Sequence, residues 1–403
     1  LKGGEEMYHY RTINVPVRCS SHDLKYLYGL NKKSAYVWNL CLELATKYSE
    51  ENDGKWISRN DLQKATKKCI DLHAKGIHYV AHKYLFARDG ALQSKKKGIL
   101  NVKYPWKKKK YFNTGWDSQS IKVDYAKGKI YLSKPDYIDT HDNLRRSKPV
   151  VCLSKSLPQN IVQVELKYDK RLYLSIKYKE KASYIQVKSK NTAAIDLGEI
   201  HSITSIDNSG NAIIITGRKM RSIKQHRNKQ QAKIYKRMSK CKKGSSQRRK
   251  YIRAMSKLKV RYENKVNDCV HKISKLYLDY CLENQISTVY YGDLDGVTRS
   301  TRKNDKGNTF VRQKLSQWNY GELMNQLKNK LTRYGIKLVK VKEYYTSSKC
   351  PACKNINKPI KRNYDCTCGY KQHRDIVGAI NILNDNHSTN LTHYTSKKYL
   401  QIA

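Results

Sequence analysis

The hydrophobic pattern changes period several times along the 403 residues. Residues 8–18, YHYRTINVPVR, alternate as a strand does, and Ser20 to Asp23 offers a helix cap. Trp38, Cys41, Leu42 and Ala45 then recur on one helical face, and a second helical stretch is predicted over 58–87. Further on the period drops to two. IKVDYAKGKIYL (121–132) and VQVELKYDKRLYLSIKY (162–178) predict hairpins about short turns. A strand, a helical insertion and more strands imply a small β-barrel interrupted by a helical lobe and ending near Lys190.

From residue 191 the pattern is α/β. AAIDLG (193–198), HSITSID and, after the turn NSG, AIIIT predict three consecutive strands. A long basic helical region passes into an amphipathic helix carrying Val266, Val270, Ile273, Leu276, Tyr277 and Tyr280. Strand STVYYGDL (287–294), helix 316–335, strand IKLVKVKEYY (336–345), a cysteine cluster and a helix from about Asp375 to Asn384 complete the series. Three strands, helix, strand, helix, strand, helix is the RNase H-like order. The tail 387–403 is polar without clear periodicity and is expected to be disordered.

Charge narrows the partners. Lys+Arg number 82 against 33 Asp+Glu, a net +49, which calls for a polyanion. Nucleic acid fits better than a membrane surface, because the basic residues lie among 32 tyrosines able to stack on bases and no long apolar span occurs. Between Asp207 and Glu263 there is no acidic residue, so this stretch is expected to lie against phosphates. The candidate contacts are Arg218, Lys219, Arg221, Lys224, Arg227, Lys233, Lys236, Arg237, Arg248, Arg249 and Arg253, with Lys107, Lys108 and Arg374 elsewhere. Trp38, Trp106 and Trp116 either reach bases or serve as core. Eleven cysteines without a signal peptide fit a reducing cytoplasm. The opening LKGGEE is what a purine-rich ribosome-binding site gives when translated, so Met7 is the expected native start, a cloning remnant being the alternative.

Cys350, Cys353, Cys366 and Cys368 form CxxC, a spacer of 12 residues and CxC, with Gly369 supplying the knuckle turn. Four thiolates so spaced surround one tetrahedral Zn²⁺, and a site closed by four protein ligands is structural. His373 is a possible substitute ligand that a complete Cys₄ set does not need. Asp196 sits inside an apolar strand, where a carboxylate is costly unless paired or bound to metal; a salt bridge is the plain alternative. Asp375 opens the last helix, where helix capping is the plain alternative. In RNase H-like nucleases, carboxylates at these two places hold two Mg²⁺ ions.

The IDLG strand, the GDL strand, WNYGELMNQL, YTSSKCPAC, CTCGY and HRDIVGAINIL together resemble TnpB, the insertion-sequence-encoded family also called OrfB and related to compact type V CRISPR effectors. The likeness is most specific over 191–384 and is one of layout before that. It implies a RuvC nuclease domain (191–345 and 373–386) with a zinc-ribbon insertion that binds target nucleic acid (346–372). It also implies a wedge-type barrel (1–20 and 111–190) interrupted by a helical recognition lobe (21–110). The activity implied is RNA-guided, Mg²⁺-dependent cleavage of double-stranded DNA beside a short adjacent motif. The guide RNA would come from the transposon end, and the setting would be the bacterial cytoplasm, at the nucleoid.

By the same resemblance Asp196 matches the first RuvC carboxylate and Asp375 the third. The second departs: most of the family has Glu-Asp-Leu where this chain has Gly292-Asp293-Leu294. Asp293 should face away by strand alternation, so Glu343, at the end of the neighbouring strand, is the candidate replacement. Two other readings stay open: an RNA-guided repressor that has lost catalysis, which Gly292 favours, and a DNA-joining transposase.

Overall fold

Ser20 starts the first helix as its context predicts, its hydroxyl accepting the Asp23 backbone N–H at 3.1 Å. The computed structural model describes residues 8–99, 101–138, 144–154, 157–169, 171–181, 189–293, 318–342, 346–357, 359 and 362–402. The chain separates into two units, Leu1–Lys181 and Ala182–Ala403.

In the first unit α1 (Ser21–Glu51) buries Leu27, Leu30, Ser34, Trp38, Cys41 and Ala45, the stripe that its 3.6-residue period predicts. The helical stretch expected over 58–87 is two helices, α2 (Arg59–Ala65) and α3 (Ala74–Lys96). The chain between them turns through Lys68, whose φ of 51° no α-helix accommodates. The strands are β1 (Tyr8–Pro16), β2 (Thr114–Asp117), β3 (Ile121–Asp124), β4 (Lys129–Leu132), β5 (Tyr137–Ile138), β6 (Leu144–Arg145), β7 (Val150–Leu153), β8 (Ile161–Tyr168) and β9 (Leu172–Lys181). They pair as a four-stranded sheet β1-β9-β8-β2, a three-stranded sheet β3-β4-β7 and the pair β5-β6. Both expected hairpins are present, as β3–β4 and β8–β9. Trp38 and Trp116 belong to this unit's core, Trp116 donating its indole N–H to the Ser133 carbonyl at 2.9 Å. Trp106 is 69 % exposed.

The second unit is built on β10 (Asn191–Asp196), β11 (His201–Asp207), β12 (Asn211–Thr216), β13 (Ile286–Gly292) and β14 (Lys337–Val341), with the helices α4 (Arg218–Ser239), α5 (Ser246–Glu283), α6 (Tyr320–Arg333) and α7 (Arg374–Asn386). β10, β11 and β12 run antiparallel, while β13 and β14 join β10 in parallel, the sheet that the RNase H-like order predicts. A short hairpin, β15 (Asn363–Asp365) with β16 (Lys371–His373), leads directly into α7. The tail is ordered where disorder was expected. β17 (Ser396–Gln401) adds in parallel to the edge strand β12, completing the order β14-β13-β10-β11-β12-β17, and Ile402 beyond it is buried. Edge pairing through backbone groups needs no apolar alternation, which is why SKKYLQ gave no periodic signal.

Helices cover both faces of this sheet. Ala193 and Ile195 of β10 pack with α5 and α6, whereas Ala194 packs with α7. Alternation along a strand therefore puts Asp196 on the α7 face. Among the described residues no helix is long and apolar enough to cross a membrane.

Candidate functional site

The four cysteines come together. Cys350 Sγ lies 3.8 Å from Cys368 Sγ, Cys353 Sγ lies 3.5 Å from Cys366 Sγ, and all four sulfurs fall within 4.8 Å of one another. A tetrahedron with Zn–S bonds of about 2.3 Å has edges of about 3.8 Å, so the cluster fits Zn²⁺ without rearrangement. The backbone N–H of Cys368 helps to pull the Cys366 thiol below its ordinary value, which favours the thiolate that a metal needs. Asn357 Nδ2 donates to the same sulfur at 2.9 Å. Tyr364, Tyr370 and Val377 pack around the cluster, and Val377 belongs to α7. The cysteine module and the start of that helix are thus one packed piece.

Asp196 and Asp375 both adjoin α7. A Cβ placed on Gly378 would stand 2.7 Å from Asp196 Oδ2, so the Asp196 carboxylate lies in a recess that only glycine leaves open. Gly378 follows Asp375 by three residues and shares its face of the helix. Asp375 does not cap the helix, as the plain alternative had it. His373 is the N-cap, its Nδ1 accepting the Asp375 backbone N–H at 3.3 Å. The Asp375 carboxylate is thereby left for other partners. Arg362 Nη1 donates to its Oδ2 at 2.6 Å and His201 Nδ1 lies 2.8 Å from the same oxygen. Burial alone would raise this carboxyl; hydrogen bonding from His201 and the charge of Arg362 hold it below the ordinary carboxylate range.

Neither Arg362 nor His201 was singled out from the sequence. Their proximity to Asp375 is tertiary, which no local pattern announces. Asp293, beside the missing Glu, is engaged: Lys340 Nζ lies 2.8 Å from its Oδ1, and its backbone N–H donates to the Val341 carbonyl at 2.8 Å. Glu343 lies outside the described residues. On either side of it, Lys342 directly follows β14, the parallel neighbour of β13, and the Thr346 carbonyl accepts from Asn381 of α7 at 2.7 Å.

The basic candidates divide by exposure. Arg218, Lys219, Lys233, Lys236, Arg237, Arg249 and Arg253 are exposed along α4 and α5, as is Lys107 on its loop. Others have local employment. Arg248 donates to the Met238 carbonyl at 2.9 Å and ties the end of α4 to α5, Arg221 lies 3.4 Å from Glu199, and Lys108 lies 2.6 Å from Glu43. Arg227 turns onto Asn228, and Arg374 is half-buried at the start of α7. Lys224 is half-buried too, and burial, reinforced by Arg227, pushes its ammonium down to about 8.

Residues 175–298 match the family described as "Probable transposase" (OrfB_IS605), and residues 320–382 match the "Cas12f1-like, TNB domain". A TnpB-like protein of Methanocaldococcus jannaschii is 28 % identical over 47 % of this chain and 66 % of its own length. A putative RNA-guided DNA endonuclease of Streptomyces pristinaespiralis is 31 % identical over 38 % of this chain and 36 % of its own. The CRISPR-associated endodeoxyribonuclease Cas12f1 of Sulfoacidibacillus thermotolerans is 28 % identical over 34 % of this chain and 32 % of its own. The chain thus matches between about a third and two thirds of the length of these curated relatives. In fold it resembles Cas12f1 in a complex with sgRNA and target DNA, with a TM-score of 0.65 at 15 % identity over 90 % of this chain and 83 % of that one.

Proposed function

From the premise that this is a TnpB-type protein, we propose that it is an RNA-guided endonuclease that cuts double-stranded DNA beside a short adjacent motif by RuvC phosphodiester hydrolysis. The observation that carries the reading is the convergence of Asp196 on α7 one helical turn from Asp375. Two carboxylates on such an otherwise cationic protein concentrate negative charge where phosphodiester chemistry needs cations. Asp196, Asp375 and Glu343 would hold Mg²⁺, which when bound activates water and neutralises charge on the leaving oxygen. Arg362 balances the Asp375 charge and adds a cation at the edge of the site. The Cys₄ module, holding Zn²⁺, fixes the hairpin from which α7 starts. Residues 21–110 would form the recognition lobe and the flanking strands the wedge part. A plasmid-cleavage assay with purified ribonucleoprotein and Mg²⁺ tests the reading; no cutting at a guide-matched site would sink it.

Gly292 favours a second reading, a guided DNA-binding protein without catalysis; the adjacent carboxylate, Asp293, is engaged by Lys340. Glu343 separates the two. Glu343→Ala is expected to abolish cleavage while guided binding of target DNA persists; full activity in this variant would end the proposal for Glu343. A transposase would join strands without any RNA, which the same purified protein can be assayed for.

The exposed residues of α4 and α5 are assigned to phosphates of the guide RNA, read without regard to sequence. Their number predicts a steep salt dependence. RNA affinity should fall by at least about a thousandfold between roughly 50 and 200 mM salt. A flat dependence in filter-binding titrations would contradict the assignment.

A further inference from the structure

We propose that His201 is a positioning residue for Asp375, held in place by Tyr399 of the C-terminal strand; the inference rests on the nuclease reading above. His201 is 4 % exposed and stands at the start of β11. A carboxylate is acceptor-only, so the 2.8 Å contact with Asp375 Oδ2 requires that Nδ1 carry the proton and donate. Arg362 ends on the same oxygen at 2.6 Å. With two donors on Oδ2 the carboxylate cannot rotate freely, which leaves Oδ1 as the oxygen for a further partner. Holding a ligand carboxylate by its other oxygen is how an outer group sets the geometry of a metal site.

The imidazole is itself braced. The ring of Tyr399 meets it edge-on, with centroids 5.9 Å apart at 89°, and His373 lies against it at 5.1 Å. Below it, the Gly198 N–H donates to the His201 carbonyl at 3.0 Å; a Cβ at Gly198 would lie 2.8 Å from that oxygen, so the turn is as tight as glycine permits. One short loop therefore ties Asp196 to His201, and His201 ties it to Asp375. β17, which pairs only at the sheet edge, acquires a role in the site through Tyr399.

The test measures Mn²⁺ binding to zinc-loaded ribonucleoprotein by calorimetry, with Asp375→Ala defining the site-specific signal, beside target-DNA affinity and cleavage. His201→Leu should weaken Mn²⁺ binding by at least about tenfold, the range of such outer groups. Target-DNA affinity should stay unchanged. His201→Asn, whose amide nitrogen falls near the place of Nδ1, should recover most of the metal affinity. Wild-type Mn²⁺ affinity in His201→Leu, or no recovery in a folded His201→Asn, overturns the positioning role. Should His201→Leu fail to fold, Tyr399→Leu, on a half-exposed edge residue, must shift Mn²⁺ affinity in the same direction, and no shift overturns it. Absence of any site-specific Mn²⁺ signal in the wild type would instead remove the nuclease reading and this inference together.

Discussion

Asp196→Asn and Asp375→Asn are each expected to reduce target-DNA cleavage by at least about a thousandfold, the scale on which one preorganised polar group in a catalytic site acts. Both changes keep shape and remove charge, so neither should disturb folding or the capture of target DNA. Gly378→Ala provides a third route to the same end without touching a carboxylate. Its methyl group would stand 2.7 Å from Asp196 Oδ2 and 3.1 Å from Cγ, and so short a side chain can yield only by turning away from the helix. Loss of cutting in all three, with binding retained in electrophoretic shift assays, is the expected pattern. Wild-type cutting by Asp196→Asn would be fatal to the assignment, since no other described carboxylate on β10 could take its place.

Much of this centre was legible because local patterns carry it. AAIDLG reads as a buried strand, and a period of two then decides which face Asp196 must share with Ala194. The cysteine spacing needs no fold to be interpreted, and the final helix announces itself through Ile376, Ala379, Ile380 and Leu383. What escaped was non-local. His201 and Asp375 are 174 residues apart, and nothing in HSITSID says which neighbour its first side chain meets. Arg248 and Arg221 were counted as phosphate contacts because charge is visible in a sequence, whereas an acceptor such as the Met238 carbonyl or Glu199 is visible only in the fold. The C-terminal strand was missed for a different reason: it pairs along its whole length with β12 through the backbone, and only Leu400 and Ile402 reach the core, too few to set up a periodic pattern.

Removing zinc is expected to have the second large effect, on stability first and on chemistry through it. Apart from the cysteines, the described core of the module is little more than Tyr364, Tyr370 and Val377, far too small to hold a fold by burial alone. Metal binding by four thiolates contributes on the order of 10 kcal/mol or more in small zinc domains, so here it would be the module's folding energy. Treatment with a chelator, or Cys350→Ser at a fully buried ligand, should therefore open residues 346–373 to protease while β10–β14 stay protected. The consequence for chemistry follows from the chain path. Arg362, immediately before β15, reaches Asp375, and β16 ends in His373, the residue that caps α7. Loosening the hairpin releases Arg362 from the carboxylate and the His373 cap from the backbone that carries it, and a displacement of even about 1 Å at a reacting centre costs on the order of a hundredfold in rate. Cleavage should fall by at least that much and return when Zn²⁺ is added back. If the zinc-free protein, verified by elemental analysis, cuts at the full rate, the module does not position Asp375 and serves target binding alone.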